Sequence, residues 1–238
     1  MAETNHDLFI DSQLPARRTI TMCARPSLKR YARRMGFPAL PAADKRLVQI
    51  VDAALADASQ RSGRWLVCRP GCTQCCIGAF PISQLDAIRL QNGLHDLETK
   101  DPNRAARVRT RAQESVKRLA SDFPGDPATG ILDQDAEAQF SKFANDEPCP
   151  ALDPVMGTCD LYASRPITCR AFGPPIRSEG GLGVCELCFQ GATQEEIAVC
   201  EMQVDPDNLE SGVLEELEKA GAPVGETIVA FALARNVE

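Results

Sequence analysis

Cys68-Arg69-Pro70-Gly71-Cys72-Thr73-Gln74-Cys75-Cys76 sets how the rest of the chain is read, because four thiols so close together rarely serve packing alone. Single cysteines answer it in Pro148-Cys149-Pro150, Thr158-Cys159-Asp160 and Thr168-Cys169-Arg170, and Cys185 and Cys188 follow. Thiolate is the soft ligand that zinc and iron–sulfur centres select. Cys72-x2-Cys75 has the spacing of a chelating knuckle, where a tight turn aims both sulfurs at one metal and intervening amides donate to them. Gly71 suits that close backbone approach. Cys75 and Cys76 are neighbours whose side chains are expected to diverge, so one of them is expected to face a second metal, another part of a cluster, or the core.

The expected ligands are Cys68, Cys72, Cys75, Cys76, Cys149, Cys159, Cys169 and Cys185. Eight sulfurs suit two zinc ions with four ligands each, or one four-iron cluster beside a second metal, and spacing does not choose between them. Cys188 stands evenly between ligand and spare thiol. Cys23 and Cys200 read as packing or free thiols. Arg69, Arg165, Arg170 and Arg177 are close enough in sequence to offset the negative charge of a thiolate site, with ordinary surface or carboxylate pairing as favoured for Arg69 and Arg177. Tyr162 and Phe172 read as cover for the site rather than as a substrate pocket.

Composition narrows the class. The 238 residues carry 26 Lys and Arg against 33 Asp and Glu, a net charge of −7, which argues against a general nucleic-acid binder held by phosphate neutralisation. Eleven cysteines form an odd number at chelating spacings, and Met1-Ala2-Glu3-Thr4-Asn5-His6-Asp7 opens no apolar signal segment. A cytoplasmic protein without a disulfide framework or membrane span is therefore expected. The two histidines, His6 and His95, neighbour no cysteine group, so the site is expected to be all or nearly all sulfur and not an open, histidine-based catalytic zinc. No Ser-His-Asp triad or phosphate loop is supported.

Three segments are expected: a basic extension and helix over 1–62, a cysteine domain over 63–192, and C-terminal helices packing on the core over 193–238. Apolar spacing predicts a helix over 42–62 stopped at Gly63. Residues 77–82 read as extended. Ser83 with Asp86 resembles a capping box opening a helix through Leu94, and Asp101-Pro102 starts another whose outer face is rich in arginine. A helix is expected over about 134–144, and others at roughly 194–203, 207–220 and 227–234. Between Glu147 and Phe189 the Pro, Gly and Cys texture predicts loops ordered by ligands rather than by an apolar core. The expected fold is mainly α, a small loop-rich metal-binding domain packed with amphipathic helices.

The run Cys68-x3-Cys72-x2-Cys75-Cys76, then Cys149-Pro150-Ala151-Leu152 and Gly157-x-Cys159-Asp160-Leu161-Tyr162-x2-Arg165-Pro166-x2-Cys169-Arg170-x-Phe172, resembles the YkgJ-like cysteine-cluster family of zinc- or iron-chelating domains over about residues 64–190. Flagellin lysine N-methylases carry a similar cysteine domain. The resemblance implies binding of zinc or an iron–sulfur cluster, a four-iron cluster among them, with a role in metal handling, sensing or as an accessory factor to a protein partner. Two alternatives stand beside it. One is an iron–sulfur-dependent protein lysine N-methylase, although no glycine-rich adenosyl-cofactor loop is present. The other is a zinc-stabilised interaction module that uses the basic stretch over 17–34. The Cys68-x3-Cys72-x2-Cys75 spacing also matches radical adenosylmethionine enzymes, but Gln74, Cys76 and the lack of a strand–helix alternation set that reading last.

Overall fold

The computed structural model describes residues 40–178 and 181–235. Cys23, His6 and the basic stretch lie outside them. Helices run α1 Ala42–Ser62, α2 Gln84–Lys100, α3 Pro102–Leu119, α4 Glu137–Phe140, α5 Ile167–Ala171, α6 Gln194–Ala198, α7 Leu209–Lys219 and α8 Val229–Ala234. Three short antiparallel pairs complete the elements: β1 Gly125–Asp126 with β2 Ile131–Leu132, β3 Leu152–Asp153 with β4 Thr158–Cys159, and β5 Ile176–Ser178 with β6 Gly181–Gly183. The protein is mainly α, with loop-rich cysteine segments packed on amphipathic helices. Among the described residues no helix is long and apolar enough to cross a membrane.

Local chemistry sets the helix ends. Asp101 closes α2 and caps α3 by accepting the Arg104 amide at 3.0 Å, with Pro102 at the first helical position, where its missing N–H costs nothing. Thr193 and Glu196 make the full reciprocal box at α6. At α2 only half of the box forms: Ser83 accepts the Asp86 amide at 3.3 Å, but the Asp86 carboxylate turns inward to Arg89 and the Ile167 amide.

Helix α2 also runs past the expected end at Leu94 to Lys100. Gly93 does not stop it; a Cβ there would lie 2.2 Å from Ser164 Oγ and 2.4 Å from its Cβ. The missing side chain lets the turn over 162–164 sit directly on the helix. The helix expected over 134–144 shrinks to Glu137–Phe140, with turns on either side that carry Ala136 and Phe143 into the core. Helix α6 ends at Ala198 rather than near 203 because the buried Met202 turns away and its amide bonds Pro175 O at 2.8 Å.

Apolar burial is divided among several clusters. The first joins α2, α3 and α8 through Leu90, Leu94, Val108, Ala112, Ala232 and Leu233, with Ala151 and Leu161 entering from the cysteine segments. A second joins α1, α2, α5 and α7 through Leu47, Val51, Leu85, Ile88, Val213 and Leu217, with Ile167 and Ala171. Phe123 stacks on Phe231 and meets Phe143 in a third. Each buried Leu, Ile or Phe contributes about 1.5–3 kcal/mol over leaving it in water. The stretch Glu147 to Phe189 therefore differs from expectation: four apolar side chains anchor its middle to the helices independently of any ligand.

Candidate metal centre

Backbone pairing brings the first motif to the downstream cysteines. Cys76 O accepts the Cys149 amide at 2.7 Å, and the Gly78 amide donates to Glu147 O at 2.9 Å, which lays residues 76–78 antiparallel to 147–149. The β3–β4 hairpin then carries Cys159 opposite Leu152. Helix α5 presents Cys169. Five half-buried thiols meet here, Cys75, Cys76, Cys149, Cys159 and Cys169, and their charges act on one another. Cys149 and Cys159 pack against the first core, so this is the inner group.

Cys68, Cys72, Cys185 and Cys188 form a second, outer group. Cys68 Sγ lies 3.8 Å from Cys188 Sγ. The chain at Cys68 is at the surface, but the sulfur points inward beneath Gly173, where a Cβ would stand 3.1 Å from it. Gly173 has φ +117°, a conformation suited to glycine. Trp65, Leu66, Phe189 and Ile197 wrap the outer group in a small apolar cluster that also contains the buried Cys200.

The grouping departs from the sequence expectation in two ways. Cys72 and Cys75, expected to share an ion, belong to different groups. Cys72 ends a turn closed by its amide on Arg69 O at 2.9 Å, whereas Cys75 lies in the following 3-10 turn over Gln74–Cys76, where Cys76 N bonds Thr73 O at 2.8 Å. Cys75 and Cys76, expected to diverge as they would on a strand, are hydrogen-bonded to each other, because successive side chains on a helical turn do not point to opposite faces.

Electrostatics follow from this crowding. Cys75 is pulled down to about 6, first by the hydrogen bond from Cys76, then by its own amide and Arg165, with burial acting against them. Cys76 moves up through the same bond, then through burial and the charge of Cys75. Burial pushes Cys149 up to about 12 while the amides of Ala151 and Leu152 donate to its sulfur. Cys159 and Cys169 are raised chiefly by burial, the former opposed by the Leu161 amide and Arg165. In the outer group burial, then Cys188, lifts Cys68 to about 12, and burial lifts Cys185 against amide donation from Leu187 and Cys188.

In such surroundings most of these sulfurs stay protonated unless a positive charge stands beside them. Burial and mutual repulsion make several neighbouring thiolates costly, and a bound metal supplies the missing charge. Amides aimed at Cys149, Cys159 and Cys185 stabilise ligand sulfur in the same way. Soft donors with amide support fit zinc or an iron–sulfur centre. The thiols are gathered rather than closed on a point: among the described residues, no group of three or more His, Cys, Asp or Glu side chains is arranged to hold one ion as it stands.

Helix α3 holds the inner group in place. Asp160, directly after Cys159 and with a fully buried side chain, pairs with both Arg104 and Arg111. Arg111 also donates to Pro150 O at 2.8 Å, beside Cys149, and Arg118 pairs with Glu147 at 2.6 Å. Arginines expected on the outer face thus clamp the cysteine loops from the edge of the packed face. Of the four arginines considered from sequence, Arg165 acts on Cys75 and Cys159 while stacking over Tyr162 at 3.9 Å. Arg170 is structural, bonding Asp52 at 2.7 Å and the carbonyls of Ala163 and Arg165. Arg177 pairs with Glu201. Phe172 lies 6.1 Å from Phe80 and Tyr162 is exposed. His95 has Glu98 beside it at 3.4 Å.

Residues 67–188, more than half of the chain, match the model of the CxxCxxCC family, described as "Putative zinc- or iron-chelating domain". Nothing significantly similar was found among curated proteins or among solved structures. The matched segment begins one residue before Cys68 and ends at Cys188, so it spans every cysteine of both groups. The chain belongs to the CxxCxxCC family of zinc- or iron-chelating domains.

Proposed function

We propose that the protein binds zinc or an iron–sulfur cluster at the inner group, with Cys75, Cys149, Cys159 and Cys169 as ligands, and works in metal handling, sensing or as an accessory factor in the cytoplasm. The single observation behind this assignment is the convergence of half-buried sulfurs from three separate segments under backbone amide donors. Cys76 is assigned a supporting role, donating to Cys75, whose charge acts on each of the other three. When bound, zinc would fasten the loops as a closed site, whereas a cluster would add one-electron chemistry or oxygen sensitivity. The Asp160 clamp holds the segments of Cys149 and Cys159 in position, and Arg165 offsets charge on Cys75 and Cys159.

Anaerobic purification followed by metal and sulfide analysis and a visible spectrum tests the proposal. Stoichiometric zinc without colour, or iron and sulfide with broad brown absorption, is expected. The Cys149→Ser, Cys159→Ser double variant is expected to lose that metal. Retention of wild-type metal content by this variant would rule out the inner group as the site.

A further inference from the structure

We infer that the cleft between α3, residues 147–150 and the approach to α8 binds a small, neutral aliphatic molecule whose head donates one hydrogen bond to Ser115. Residues 78–80 and 147–150 form its sides, and Ser115, Leu119 and residues 228–230 complete it. It measures about 300 Å3 counting its open mouth. On the measure by which a single water needs roughly 10–15 Å3, it offers about 20 Å3. A head of one polar atom on a tail of about three carbons is the size that fits. Cys149 belongs to one wall, but the inference requires no metal at the inner group.

Ser115 singles this cleft out. The buried stripe of α3 consists of Ala105, Val108, Ala112, Ser115 and Leu119, and the serine is its single polar member. Ser115 is 1 % exposed, and among the described residues its Oγ has no hydrogen-bond partner of normal geometry, a carbonyl of its own helix included. An unpaired buried hydroxyl is unfavourable, and alanine would continue the stripe without that cost. A polar group kept at such a place points to a partner from outside the chain. The Glu147 carboxylate is close by: burial raises it, and Arg118 followed by Ser115 outweighs that and brings it down. That contact engages the hydroxyl proton. The Ser115 lone pairs are then what a ligand can use, so its head must donate. Arg118 already donates to Glu147 at 2.6 Å, so the carboxylate charge is matched and a neutral head is favoured. Buried Leu119, Ile228 and Ala230 supply the apolar surface for the tail. Pro148 and Pro150 fix the backbone on either side of Cys149, which preforms that wall, and the exposed Pro148 marks the mouth.

The experiment titrates the full-length protein, carrying isotope-labelled Ala, Ile, Leu and Val methyls, with 1-propanol, propionitrile and propylammonium chloride. The nitrile matches the alcohol in size but can only accept a hydrogen bond. 1-Propanol should shift the methyls of Ala79, Leu119, Ile228, Val229 and Ala230 saturably. It should bind about 3–10-fold more tightly than propionitrile, the worth of one hydrogen bond, and more tightly than propylammonium. The same preference is expected with the metal present and after chelation, which separates this test from that of the inner group. Ser115→Ala should bind alcohol and nitrile alike and keep or raise the urea midpoint. Ser115→Leu, whose side chain fills the cleft, should show no saturable shift. Shifts that do not saturate, that spread over other methyls, or that are equal for alcohol and nitrile overturn the site. An undiminished preference in Ser115→Ala does so too. A lowered urea midpoint in that variant also overturns it, because the hydroxyl then serves the fold itself, directly or through a water. Should Ser115→Leu unfold, Ser115→Ala decides, since the smaller side chain adds no contact.

Discussion

Arg89→Ala is expected to destabilise the fold by about 3–5 kcal/mol. Arg89 is 5 % exposed and bridges two carboxylates. It donates to Asp44 of α1 at 2.5 Å and pairs with Asp86 on its own helix. Asp86 in turn accepts the Ile167 amide at the start of α5 at 3.0 Å. The network therefore fixes the helix that presents Cys169 against α1 and α2. Removing the guanidinium strands two buried carboxylates, and the cost is their desolvation rather than the loss of a favourable pair. Arg89→Met combined with Asp44→Asn and Asp86→Asn should recover most of the loss, since no charge is then left buried. Urea midpoints compared at equal m-value measure both, and a loss below about 1 kcal/mol for Arg89→Ala would remove the network from the account.

Metal removal is expected to produce the second large effect, confined to part of the molecule. Structural zinc contributes about 10–16 kcal/mol of apparent binding energy in small sulfur sites. On chelation, backbone hydrogen exchange over residues 63–76 and 181–192 should quicken by at least about 100-fold, while α2, α3 and α8 remain protected by their own core. Residues 149–171 should respond less, because Ala151, Leu161, Ile167 and Ala171 stay anchored and Asp160 keeps its two arginines. Exchange by mass spectrometry distinguishes these segments. Uniform loosening of the whole chain would contradict the division between helical core and ligand-held loops.

The contrast between those segments also explains what the sequence revealed. Helices with a one-sided apolar stripe and a local start or stop signal, such as α1 ending at Gly63 and α3 capped by Asp101, were legible because spacing and end signals are local. The N-terminal half of α2 was less so: Gln84, Asp86 and Arg89 are buried among Leu85, Ile88 and Leu90, and a charged residue on a buried face is visible only once its partner from α1 is placed. The clamp on the cysteine loops was missed although it left a signal. Arg104, Arg111 and Arg118 recur every seven residues, each just before the buried Ala105, Ala112 and Leu119. They line one edge of the packed face instead of the solvated side. Spacing pointed to a chelating set of cysteines but not to their grouping, which depends on turns at 69–72 and 73–76 and on the pairing of 76–78 with 147–149, a contact between segments far apart in sequence.

X-ray absorption at the edge of the metal that copurifies with the anaerobically prepared protein tests the central claim most directly. A first shell made of sulfur alone, at about 2.3 Å, is predicted for zinc and for cluster iron alike. A shell dominated by nitrogen or oxygen at about 2.0–2.1 Å would show that these cysteines are not the ligands.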